Sequence, residues 1–246
     1  WDAPAWKLNI EFGHVRIESI DAVDSTPIVK IARSGADGSG AIEIARVVQL
    51  LSKEESRADS ADVLDVISRN DHFEFLTGSW FWHAAGVRNR LVNQSKKMLA
   101  VTNGISVLEI HEGLSRVYQF RNSSSPSRFD LVVPPPNVLK AFFTAHTEFS
   151  LDEEGLVQDR SPIDYRTILG NTEVNIVDVL RSSPTGLLDR SSLVDECVRR
   201  GVNLNSLNLY TTYSIVLKHH GLDVWGLRGA VHSYESLAAI QDANSS

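Results

Sequence analysis

The sequence has little of what would announce a redox centre, a metal cluster or a membrane. A single cysteine, Cys197, in 246 residues leaves no internal disulfide framework and no cysteine-based zinc cluster, and suits a reducing compartment. No stretch is long and apolar enough to cross a bilayer. The opening Trp1-Asp2-Ala3-Pro4-Ala5-Trp6 lacks the basic start and apolar run of a secretory signal, and also lacks an initiator methionine. These features lead us to expect a cytoplasmic protein without a membrane partner, and a piece of a longer or trimmed chain.

Catalytic signatures are missing as well. No G-x-x-x-x-G-K-[ST] phosphate loop occurs, and Gly35, Gly38 and Gly40 lack the following lysine. His111-Glu112 stops short of an H-E-x-x-H zinc motif, and Asp62 with Asp65 reads as the solvated face of an acidic helix. Cys197 sits at helical apolar spacing in Leu193-Val194-Asp195-Glu196-Cys197-Val198, which suits a small buried hydrophobe better than a nucleophile. The pair His219-His220 has no third ligand nearby in sequence, so no metal is expected. Neither an enzyme nor a cofactor is expected.

Positive charge is scarce overall, with 24 Lys/Arg against 31 Asp/Glu and a net charge of −7. Taken alone this argues against a nucleic-acid binder. The distribution is uneven: residues 1–83 carry 8 cations and 14 anions, residues 84–147 carry 8 and 3, and residues 148–246 carry 8 and 14. A basic middle (+5) therefore lies between two acidic thirds (−6 each). Double-stranded DNA would be gripped by the middle, and the acidic thirds could face protein partners.

The 42% apolar content is enough for several modest cores, and the apolar spacing indicates how they are arranged. In the last third, Asn171-Thr172-Glu173 precedes Val174, Val177 and Leu180, giving a first helix that ends at Ser182-Ser183-Pro184. Asp189 or Ser191 caps a second with Leu193, Val194, Cys197 and Val198, closed by Arg199-Arg200-Gly201. Asn203 or Asn205 caps a third, with Leu204, Leu207, Tyr210 or Thr211, and Ile215 facing inward. The turn Lys218-His219-His220-Gly221-Leu222 leads into the short apolar strand Asp223 to Gly229.

The same order is expected upstream. Leu91, Ser95, Met98 and Leu99 mark a first helix, and Ser106 caps a second with Leu108, Leu114, Val117 and Tyr118. After a polar insertion, Pro134-Pro135-Pro136 opens a third with Val138, Leu139, Phe142 and Phe143, and Phe149 to Val157 form a hairpin. A fainter copy runs from Ile28 through a helix over Gly40 to Ser52 and another, capped by Ser60 and carrying Val63, Leu64 and Ile67, to a hairpin over His72 to Trp82. In that hairpin Phe81 turns inward, while Trp80 and Trp82 share the other face and serve packing rather than base stacking. Lys7 to Ile17 alternate as a hairpin turning at Gly13, and the tail after Ala230 is expected to fray.

These readings give a mainly helical α+β chain of two to three tandem winged-helix units. Its segments are 1–83, 84–160 and 161–230, followed by a tail at 231–246.

The stretch from Gly201-Val202-Asn203 to Val224-Trp225-Gly226-Leu227-Arg228-Gly229 resembles the HARE-type winged helix-turn-helix of the RNA polymerase delta subunit and of DNA-linked restriction and chromatin modules. It also resembles sigma-factor-like helix-turn-helix proteins of bacteria. The likeness covers residues 171–229 well and 88–160 more weakly. It implies DNA binding in transcription regulation or in a mobile-element or phage-defence setting, with nucleoid association; the alternative is a stacked winged-helix scaffold for protein partners. For DNA, the third helix would read bases through Asn203, Asn205, Asn208 and Tyr210, with Lys218 and His219 on phosphates. The central unit would contribute Arg88, Arg90, Lys96, Lys97, Arg116, Arg121, Arg128, Asn137 and Lys140.

Overall fold

The computed structural model describes residues 6–11, 14–19, 26–54, 56, 58–124 and 130–245. They divide into two compact units, one reaching Arg90 and including residues 130–134, the other comprising the remainder. Helices and small antiparallel sheets are mixed, an α+β architecture.

The first unit begins with β1 (Trp6–Glu11) paired to β2 (His14–Ser19), Glu11 opposite His14. The expected turn at Gly13 lies outside the described residues. Thr26 then caps α1 (Pro27–Ser39), whose opening proline has no N–H to orphan. Next come β3 (Ile42–Glu43), α2 (Ile44–Lys53), α3 (Ser60–Ser68), β4 (Phe73–Thr77) and β5 (Trp80–His83). The helix expected over Gly40 to Ser52 is thus preceded by a two-residue strand, because Gly40 at φ 97° breaks from α1 and Ile42 pairs with Phe81. Asp59, not Ser60, caps α3, through a reciprocal box with Asp62. Val29, Ala32, Val47, Leu51, Val63, Ile67 and Phe81 close the core. Phe81 is inward as expected, but Trp82 is buried too and Trp80 half-buried.

In the second unit the same order occurs twice. The first run is α4 (Arg90–Leu99), β6 (Ile105–Ser106), α5 (Val107–Ser124), α6 (Pro136–Ala145), β7 (Phe149–Leu151) and β8 (Leu156–Asp159). After a one-turn helix α7 (Tyr165–Ile168) come α8 (Asn171–Ser182), β9 (Leu187–Asp189), α9 (Arg190–Arg199), α10 (Leu204–Tyr213), β10 (Leu217–His219) and β11 (Val224–Leu227). In all three repeats the strand between the first two helices pairs with the second hairpin strand, giving sheet orders β3-β5-β4, β6-β8-β7 and β9-β11-β10. Gly78, Gly155 and Gly221 take φ of 58°, 82° and 86° in the hairpin turns, where a side chain would be strained.

Caps and glycines lie where local chemistry indicates: Asp189 caps α9, Asn203 caps α10, and Gly201 is left-handed behind Arg200. Four inward assignments fail. Leu64, Leu108, Val198 and Leu204 are exposed, because each lies at the edge of its helix's apolar stripe while Ile67, Ile110, Cys197 and Leu207 take the core positions. The tail does not fray: Tyr234–Ser245 form α11, held by Gln241 Nε2 donating to the His220 carbonyl and Asn244 Nδ2 to the Leu222 carbonyl, both 2.9 Å.

Candidate nucleic-acid interface

The two repeats of the second unit are joined through arginine. Arg228 is fully buried, and its guanidinium donates to the carbonyls of Ile215 (3.0 Å), Leu217 (3.1 Å) and Glu109 (3.3 Å) while meeting the Glu112 carboxylate at 3.2 Å. Gly113 makes this approach possible, since a Cβ there would lie 3.0 Å from Arg228 Nε. Arg116 runs alongside, donating to Thr212 (2.7 Å), Leu217 (3.2 Å) and Thr211 carbonyls at and just beyond the C-terminal end of α10. Burial first, and then the neighbouring Arg228 charge, lower the pKa of Arg116; burial likewise lowers that of Arg228 against the opposing pull of Glu112. Phe120 stacks on Tyr213 across the same junction, centroids 4.4 Å apart.

This junction takes up much of the basic charge the sequence offered to DNA. Arg116 is turned into the molecule. Lys97 reaches the buried Glu173 (3.4 Å), Lys218 pairs with Glu109 (2.7 Å), and Lys96 pairs with Glu148. Arg88 is exposed and Arg90 half-buried, but both belong to the first unit, whereas Lys96 and Lys97 belong to the second. Arg128 lies outside the described residues. Arg121, near the end of α5, is exposed, as are Asn137 and Lys140, one turn apart on α6.

On α10, Asn203 is the cap, Asn205 is exposed, and Asn208 accepts from Arg190 Nη2 at 2.9 Å. Tyr210 is half-buried against Tyr213, and His219 lies exposed over Trp225 at 4.8 Å. The outward face of α10 therefore reads Leu204, Asn205, Asn208, Leu209 and Thr212, with Leu204 and Leu209 48% and 45% exposed and no charge among them. Sequence reading missed this because it assigned Leu204 to the core. The outward face of α3 carries Asp62, Asp65 and the 45%-exposed Leu64, and the turn between β7 and β8 is acidic at Asp152, Glu153 and Glu154.

Chemistry-bearing groups are otherwise sparse. Burial pushes the Cys197 thiol up to about 11, leaving a poor nucleophile. Burial would raise Asp189, but hydrogen bonds from Ser191 and Ser192 outweigh it and hold the carboxyl at about 2. Among the described residues no three His, Cys, Asp or Glu gather as a metal site, and no helix is long and apolar enough to cross a membrane. Gly35 and Gly38 lie within α1 rather than in a phosphate-cradling loop. Compared with known family models, curated proteins and solved structures, the chain matches none.

Proposed function

We propose that this chain is a tandem array of three winged helix-turn-helix units that acts as a protein-binding scaffold within a larger complex. The winged-helix reading is supported by the thrice-repeated order of helix, strand, helix, helix and hairpin, in which the lone strand joins the far strand of the hairpin. In such a unit the third helix and the hairpin face the ligand.

The observation that carries the scaffold reading is the outward face of α10, where two half-exposed leucines lie among amides and a hydroxyl, and where Arg190 of α9, which reaches that face, is engaged by Asn208. A duplex carries one phosphate charge per ~1.7 Å of axis and rewards lysine and arginine. A protein partner rewards desolvated apolar anchors ringed by hydrogen-bonding groups. The acidic α3 face and the acidic turn after β7 oppose phosphate in the same way. Affinity capture from nuclease-treated native lysate tests the reading when Leu204→Asp/Leu209→Asp is run beside the parent. A stoichiometric protein retained by the parent and lost by the variant supports it; a bound set unchanged by the substitutions removes it.

Double-stranded DNA is the second reading, as in transcription regulation or phage defence, and α6 favours it. Asn137 and Lys140 are exposed one turn apart on that third helix, with no acidic residue on the helix.

A further inference from the structure

His220 sits between β10 and the turn at Gly221, and His232 lies two residues ahead of α11; the fold brings their rings edge to face at 5.3 Å. His232 Nδ1 is 3.1 Å from the Thr185 carbonyl, which can only accept. Nδ1 therefore carries the proton, and Nε2 is left with a bare lone pair. Both Nε2 atoms, of His220 and of His232, are buried without a hydrogen-bond partner.

The two nitrogens converge on one place. A Cβ at Gly226, in β11, would lie 2.9 Å from Leu187 Cδ2, 3.0 Å from His232 Nε2 and 3.1 Å from His220 Nε2, so both rings and Leu187 can pack onto the strand at this point only because residue 226 is glycine. Burial, together with the charge that His232 and Lys218 would add, lowers His220 to about 4 and keeps it neutral near pH 7.

We propose that His220 and His232 form a two-imidazole site for a divalent transition-metal ion of the zinc class, which ties the chain leading into α11 to the third hairpin. Neutral imidazole nitrogen suits zinc, copper, nickel and cobalt, whereas calcium and magnesium demand oxygen. A backbone carbonyl on the far nitrogen, as Thr185 provides, is the arrangement that orients a metal-ligating histidine. Neither nitrogen meets solvent without the ion, so water admitted with the ion would complete the coordination. The ion would add a third tie to the two that Gln241 and Asn244 already make to the same turn, where Leu222 and Asp223 hold φ of 46° and 56°.

The test titrates the metal-free chain, residues 1–246, with Co2+, whose visible absorption reports tetrahedral nitrogen coordination, and with Zn2+ by calorimetry at pH 7.5. One ion per chain is expected, with binding weakened at least about tenfold in His220→Gln and in His232→Gln and unchanged in His219→Gln, whose ring lies exposed over Trp225. Circular dichroism checks that each variant is folded. A His220→Gln/His232→Gln double variant that is folded and binds like the parent would overturn the proposal. So would the absence of saturable Co2+ binding by the parent at about 100 µM, where a site of micromolar affinity is full.

Discussion

Replacing Arg228 by methionine should weaken the joint between the central and C-terminal repeats. The guanidinium is 1% exposed, donates to three backbone carbonyls and meets Glu112, itself 60% exposed. Methionine retains most of the apolar stem beside Gly113 but strands the Ile215 carbonyl, whereas the Leu217 carbonyl keeps Arg116 and the Glu109 carbonyl keeps its partner within α5. A buried acceptor left unsatisfied costs ~1–3 kcal/mol, and relief of the desolvated charge offsets the two other lost hydrogen bonds, so the net loss should be about 1–3 kcal/mol. With a urea m-value of roughly 2 kcal/mol/M, the midpoint of the second unit should fall by about 0.5–1.5 M. The two repeats stay tied through Arg116, Lys97–Glu173 and Lys218–Glu109, so unfolding should remain a single transition. Glu112→Gln is the control: its carboxylate is mostly solvated, so the change should cost less than about 1 kcal/mol. A midpoint shift below about 0.3 M for Arg228→Met would refute the argument that buried arginine joins these repeats.

Further outcomes follow from single groups. Ser95 is fully buried on α4 with its hydroxyl unpartnered, so Ser95→Ala should be neutral or stabilise by up to about 1 kcal/mol in thermal unfolding. His220 has its folded pKa depressed to about 4 from an ordinary 6.5, so the unfolded chain binds more protons between those values. Its stabilising contribution is complete above pH 6.5 and is lost as pH falls toward 4; urea midpoints at pH 7, 5.5 and 4.5 should decline, and less steeply in His220→Gln. Asp189 acts lower, its contribution being lost as pH falls from its ordinary 3.8 through about 2. Cys197 should stay unreactive toward a disulfide reagent in the native chain at pH 8 and react fully after denaturation.

What could be read from sequence was what local chemistry dictates. The caps Asp189 and Asn203, the prolines opening α6 and the turn glycines of the three hairpins require only near neighbours. The lone strands β3, β6 and β9 escaped because two or three residues carry no detectable alternation. The helix α11 escaped because its apolar residues make no continuous stripe, and it is held to the hairpin through side-chain amides. The candidate site was least legible. Whether an arginine meets solvent or a carbonyl depends on partners remote in sequence: Arg116 bonds residues 95 to 101 positions away, and Arg228 reaches Glu109 across 119. The exposure of Leu204, which shifted the balance from nucleic acid toward protein, turns on which side of α10 the core claims.

Whether these repeats present protein-binding rather than phosphate-binding faces is decided by a mobility-shift titration of the chain against random duplex at low salt. No retardation is expected at micromolar protein. Retardation that weakens steeply with salt and is lost in Arg121→Glu/Lys140→Glu would contradict the scaffold reading and transfer the function to the α6 face.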